Sequence, residues 1–246
     1  ELLAALTGKD DTTAVILFHI RLPRVLTAIA VGAALSVSGA GFQGFFRNSL
    51  ADPYVIGASS GAALGAALAL VAGWPNMGPI SAAAHLAATA LAFVVSRAAG
   101  DPPPAAALLL AGTALSSLFS ALLSLVLVLK DRDMHRVYYW LLGGLGGASW
   151  PDLAATAPVM IVGCALVYAA SRPLDLMMQG DDTARSLGLD IKRARLVVAA
   201  GASLAAAAAV AAAGIIGFVG LVAPHAVRMA TGPGHRRLIP AAALGG

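Results

Sequence analysis

Thr113, Ser117, Ser120 and Ser124 recur at intervals of four, three and four residues in an otherwise apolar stretch. That spacing puts four hydroxyls on one helical face, with Ser116 beside it. A neutral hydroxyl stripe can line a wet path; the plainer role is hydrogen bonding between helices or back to the preceding turn. Arg21 and Arg24 bracket Leu22 and Pro23 where an apolar run begins. Paired guanidinium forks can receive a partner's carboxylates, although arginines there also serve as snorkelling anchors. Asp181 or Asp182 can cap a short helix over 183–187, and Gly188 can end it in a left-handed conformation. A capped helix with exposed charge suits docking on a soluble protein; an ordinary connecting loop is the alternative.

Other chemistry finds no residues. The chain holds no Gly-x4-Gly-Lys-Ser/Thr, so no P-loop nucleotide site is expected, and no Cys/His cluster has metal spacing. No cofactor or metal is expected on this chain, and no nucleic acid as a partner, because its arginines are dispersed at segment ends. The one cysteine, Cys164, excludes a disulfide framework. His85 is the only histidine well inside an apolar segment and is expected to hydrogen-bond to a neighbouring helix. No carboxylate pair falls within such a segment, which argues against a proton relay.

These residues need elements to hold them, and composition says which. The chain is 59% hydrophobic and 11% charged, against about 25% charged in an ordinary soluble domain. Water is excluded as the main solvent. A bilayer core of about 30 Å needs about 20 apolar residues per helix. Spans are predicted at 25–46, 57–72, 80–95, 105–129, 153–170 and 196–222, with a seventh starting at 238–246. The breaks are Gly- and Pro-rich, at 73–79 and 101–104. Tyr138, Tyr139, Trp140 and Trp150 mark an interfacial segment between 130 and 152. The expectation is one all-α polytopic membrane bundle over 1–246, cut at both ends.

Six spans place residues 228–237 on the side of Arg21. Lys and Arg then divide 7 against 9, and charge counting leaves orientation open. A faint repeat relates Arg24–Pro53 to Arg195–Pro224, and Ala62-Ala-Leu-Gly65 to Ala242-Ala-Leu-Gly245. Five spans separate equivalent starts, and an odd number makes the copies inverted, as in many transporters.

The run RLPRVLTAIAVGAALSVSGAGFQGFFRNSLADPYVIGASSGAALG from Arg21 closely resembles the membrane subunits of type II ABC importers, the iron-siderophore, haem and cobalamin permeases. YWLLGGLGG from Tyr139, GDDTARSLG from Gly180 and GFVGLVAPHAVR from Gly217 resemble the same family in the same order. The resemblance implies a template of ten spans, of which about six to seven are present here. It also implies a homodimer with the path at its axis, two cytoplasmic ATPase subunits holding ATP and magnesium, a periplasmic binding protein, and a bacterial inner-membrane location.

Carried over by position, Arg21 and Arg24 match arginines that receive the binding protein. Asp181, Asp182, Thr183, Ala184, Arg185, Ser186, Leu187 and Gly188 match the helix that docks on the ATPase. The segment holding Thr113, Ser116, Ser117, Ser120 and Ser124 matches the path-lining span. Pro103, Pro104 and Ala105 fall where the family has its gate, with proline and alanine in place of small hydroxyl residues. The chain is therefore expected to be no enzyme, but the passive permease of an importer for a metal chelate or corrinoid. The competing reading is an ion-coupled secondary carrier with inverted repeats. An intramembrane enzyme would need a polar catalytic cluster that the sequence lacks.

Overall fold

A computed structural model describes residues 14–74, 76–100, 103–129 and 134–246. The polar segment 1–13, Asp101 and Pro102 ahead of the expected gate, and the start of the interfacial interval at 130–133 lie outside the described residues.

The described residues form eleven α-helices and no strand. In chain order these are α1 (Leu22–Phe46), α2 (Ala58–Val71), α3 (Gly78–Ser96), α4 (Ala105–Leu129), α5 (Met134–Leu141) and α6 (Trp150–Ala169), followed by α7 (Ser171–Met178), α8 (Asp181–Ser186), α9 (Ile191–Ala213), α10 (Val219–Thr231) and α11 (His235–Gly245). A π-helical turn, Ile16–Arg21, leads into α1. The turn and α1 together, α3 with its 3-10 extension, α4, α6 and α9 are long and apolar enough to cross a membrane.

α1 and α9 form the centre, and their small residues explain why. Ser38 donates to the Ala202 carbonyl at 2.7 Å, which requires the two backbones to lie close. α6 packs on α9 through Gly163 and Gly201; a Cβ on Gly163 would stand 2.6 Å from the Ala205 nitrogen. α10 crosses α1 where a Cβ on Gly39 would fall on the Gly220 carbonyl. Without a hydrophobic drive between helices in lipid, such close approach supplies the packing energy. α4 and α6 lie at the edge and turn apolar side chains outward, including Leu110, Val128 and Ile161 at 73%, 77% and 67% exposure.

Two crossings are only half helical. After α1, residues 47–57 run back into the bundle as turns, bringing Pro53 against Gly220, which also lies against the Leu35 carbonyl. α2 then starts inside the bundle. Its 14 residues span about 21 Å at about 1.5 Å per residue, short of a full crossing. α9 is followed by the mirror arrangement. Gly214 at φ 70° ends the helix, the chain returns to mid-depth, and Phe218 at φ 68° opens α10 beside Gly39. Non-helical backbone at this depth is tolerated because protein surrounds it.

This corrects the sequence reading of 196–222 as one span. α9 ends at Ala213, and α10 leads back to the face from which α9 started. His235, just beyond α10, is bound to Asp175 of α7, so residues 228–237 lie on the Arg47 face and not on the Arg24 face. Among the described residues the Arg47 face carries Arg47, Arg97, Arg172, Arg185, Lys192, Arg193, Arg195, Arg228, Arg236 and Arg237. The Arg24 face carries Arg21, Arg24 and Arg136. The repeat also changes partners. α1 with α2 is inverted relative to α9 with α10. The match of Ala62–Gly65 to 242–245 pairs helices that both run toward the Arg24 face, so it is a similarity of composition only.

Candidate functional site

Face by face, the structure distributes the expected residues as follows. On the Arg24 face, Arg21 ends the π-helical turn and Arg24 lies in the first turn of α1, both exposed. Arg24 donates to the Gly146 carbonyl at 3.2 Å, and Trp150 Nε1 donates to the Phe18 carbonyl at 2.8 Å. Arg24 thus stands beside the glycine turn 143–147. Next to that turn is an open hollow of about 830 Å³ between α5 and the end of α9, rimmed by Arg136, Tyr139, Trp140 and Asp152. Sequence reasoning marked its aromatics as interfacial but not its concavity, which exists only where Gly143 meets Gly214.

The hydroxyls keep to one face of α4, as their spacing requires. Thr113, Ser117, Ser120 and Ser124 are exposed on the outer face of α4. Three of them are back-bonded: Thr113 to the Leu110 carbonyl, Ser117 to that of Thr113, and Ser124 to that of Ser120. Their donors are satisfied while oxygen lone pairs remain presented outward. Ser116 is different. It is half-buried on the packing side, 3.4 Å from where a Cβ on Gly57 would sit.

On the Arg47 face α8 forms, with one correction to its cap. Gly180, at φ 113°, precedes the helix and offers no side-chain cap; Asp181 and Asp182 are its first residues. They still favour the positive helix end, but Asp181 is drawn inward by two arginines. Arg47 contacts one carboxylate oxygen and Arg195 donates to the other at 2.8 Å. Gly188 ends the helix at φ 83° as expected. Asp182, Thr183, Arg185, Ser186, Leu187 and Gly188 are exposed, and Ala184 is buried. The expected gate residues follow the same face: Pro103 is buried, Pro104 exposed and Ala105 half-buried against the core. Sequence reasoning missed Arg47 and Arg195 as partners. Their only signal was cationic side chains at the ends of apolar runs.

His85 departs from expectation. It is fully buried, neither ring nitrogen has a hydrogen-bond partner, and the Tyr54 ring packs edge-on at 6.2 Å. A neighbouring aromatic takes the place of the expected hydrogen bond.

His235 at the start of α11 received no role in the sequence. Its backbone N–H donates to Asp175 Oδ1 at 2.9 Å, and its Nδ1 lies 2.6 Å from the same oxygen. A carboxylate only accepts, so Nδ1 carries the proton. Nε2 is buried without a partner, beside Gly44. Protonating it would bury an unpaired donor. Burial therefore holds the imidazole below its ordinary value; Asp175 opposes this and nearby Arg228 reinforces it. A depressed histidine binds fewer protons folded than unfolded, so its stabilisation is present above the ordinary value of about 6.5 and falls on acidification toward the folded pKa. The thermal midpoint in detergent should drop from pH 7.5 to 5.5, and by less in His235→Gln. Equal pH slopes would remove His235 as the cause.

An all-helical membrane bundle, with half-helical crossings entered from opposite faces and a short charged helix on one of them, has the architecture of a membrane transport subunit. The chain belongs to the FecCD transport family, which it matches over residues 1–246. It is 43% identical over 241 residues to the cobalamin import system permease protein BtuC of Halobacterium salinarum, covering 97% of this chain and 65% of that protein. It is 39% identical over 249 residues to the hemin transport system permease protein HmuU of Yersinia pestis, covering 98% and 74%. A solved structure described as an inward-facing conformation of a metal-chelate type ABC transporter superposes with a TM-score of 0.87 at 33% identity, covering 96% of this chain and 76% of that one. The chain thus spans about two thirds to three quarters of the length of these relatives.

Proposed function

We propose that this chain is the membrane permease of an ATP-driven importer for a metal chelate or corrinoid, working as a homodimer in a bacterial inner membrane. The observation that carries the reading is α8. It is a short, charged, outward-facing helix, on the face that holds ten of the thirteen Lys and Arg side chains among the described residues. The positive-inside rule makes that face cytoplasmic, where an ATPase can reach it. Two ATPase subunits would hold the ATP and magnesium, since this chain has no P-loop. The relatives named for cobalamin and hemin transport support the substrate class.

In this reading α4 lies at the dimer axis. Its outward hydroxyl oxygens offer a path that solvates a bulky solute without trapping it by charge, and Pro103, Pro104 and Ala105 narrow the cytoplasmic end. Arg21 and Arg24 would meet acidic residues of a periplasmic binding protein. The arrangement supplies a two-state path, and ATP binding in the partner biases it. The ion-coupled carrier is not favoured, because the relatives named above are permease proteins of a cobalamin import system and a hemin transport system.

The test is uptake of cobalamin, hemin or a ferric siderophore into vesicles holding the permease with its ATPase and binding protein. Uptake should require ATP and persist with an uncoupler. Uptake by the permease alone, or its collapse with the ion gradient while ATP lasts, would overturn the reading. Arg21→Glu with Arg24→Glu should weaken binding-protein affinity by at least about tenfold, about 1.4 kcal/mol, with basal ATP hydrolysis kept. Unchanged affinity would reduce both to membrane anchors.

A further inference from the structure

Four parts of the chain converge on one side chain at the cytoplasmic face. Arg195, in the second turn of α9, is 7% exposed. Its Nη2 donates to Asp181 Oδ2, in the first turn of α8, at 2.8 Å. Its Nη1 donates to the Pro103 carbonyl, in the peptide entering α4, also at 2.8 Å. The guanidinium lies 5.8 Å from the centre of the Phe45 ring at the end of α1. Asp181 is shared with Arg47, the left-handed residue that terminates α1.

The chemistry of the α4 entry makes this contact unusual. Pro103 and Pro104 have no amide hydrogens, so the peptide can be held by hydrogen bonds only through its carbonyls. The Pro104 carbonyl accepts from Leu108 inside α4. The Pro103 carbonyl accepts from Arg195, which also holds the docking helix. One rigid planar fork therefore has one end on α8 and the other on the peptide entering α4. By contrast, Arg193 on the same helix is exposed and pairs only locally with Asp190 at 3.1 Å.

We propose that Arg195 is a positioning residue that ties α8 to the peptide entering α4, so that displacement of the docking helix is passed directly to the hydroxyl-bearing helix. This rests on the proposed function, in which a partner moves α8. Asp181 is the shared anchor and Pro103 the driven end, while α9 supplies the fixed body on which both turn. Lysine at 195 keeps the charge but ends in a single ammonium, which cannot hold Asp181 and the Pro103 carbonyl in the same forked geometry.

The experiment compares wild type, Arg195→Lys and Arg193→Lys in complete transporters reconstituted with ATPase and binding protein, measuring substrate taken up per ATP hydrolysed. Amide hydrogen exchange over 97–100 and 105–110 is followed with and without ATP. Wild type and Arg193→Lys should share one ratio, with exchange in these segments that responds to ATP. Arg195→Lys should hydrolyse ATP within about twofold of wild type, while uptake per ATP falls at least tenfold and the exchange response is lost. An unchanged ratio in Arg195→Lys would overturn the proposal. So would a proportional loss of uptake and hydrolysis with poorer assembly, which would make Arg195 a structural residue only. Wild type without ATP-dependent uptake would instead overturn the importer reading.

Discussion

Gly39→Ala is expected to prevent α1 and α10 from closing, and to remove most folded protein from the membrane. The added Cβ would coincide with the Gly220 carbonyl, and the atoms in the way are backbone, which has no rotamer to change. α1 cannot shift easily either. Ser38 holds α9 beside it at 2.7 Å, and Gln43 donates to the Leu221 carbonyl at 3.1 Å. Overpacking in a tight core costs about 1–3 kcal/mol when side chains can adjust; here backbones must separate, so the upper end of that range or more is expected. The check is the yield and thermal midpoint of detergent-solubilised protein. Gly217→Ala is the control, because nothing lies within 4 Å of its added Cβ. Equal behaviour of the two variants would show that α1 and α10 do not depend on this approach.

The second large effect is expected at α8. Gly188→Pro should abolish productive coupling to the ATPase, and Arg185→Glu should reduce ATP-driven uptake by on the order of tenfold, about 1.4 kcal/mol. Gly188 sits at φ 83°, while proline is locked near −65°. Its amide also donates to the Arg185 carbonyl at 2.9 Å, a bond that proline lacks. Arg185→Glu acts differently. It puts an anion near the negative helix end and opposite Asp182, with which Arg185 pairs at 3.4 Å on an exposed surface. Solvent screens this exposed pair, so the local cost is small and the fold should survive. A much larger loss of uptake at unchanged thermal midpoint would place the effect at the partner contact. Normal uptake in both variants would refute docking through α8.

Much of this was legible in order along the chain. Long apolar runs, proline breaks, and the glycine that ends α8 are local signals, and each concerns the conformation of a few neighbouring residues. The cap of α8 was misassigned for an instructive reason. Asp181 has the right chemistry for a cap, but Arg47 and Arg195, 134 and 14 residues away, compete for its carboxylate. The 196–222 run was misread because Gly214 and Gly217 lie in a sequence apolar enough to continue through them. In lipid, hydropathy reports solvent and not direction.

By itself the sequence determined that this is a helical membrane protein, where most of its long apolar helices lie, and which faces are smooth enough to pack. It carried the family motifs as well. Composition and spacing suffice there, because a bilayer forces every backbone amide to find its partner within the segment. Only the tertiary structure decided how many times the chain turns. The reversal at 214–218 moves Arg228, Arg236 and Arg237 to the Arg47 face and so sets the charge asymmetry. It also decided that Asp181, Arg195 and Pro103 meet. Such contacts depend on how deep each helix starts and how close Gly39 lets its neighbour come, and those are properties of the packed bundle.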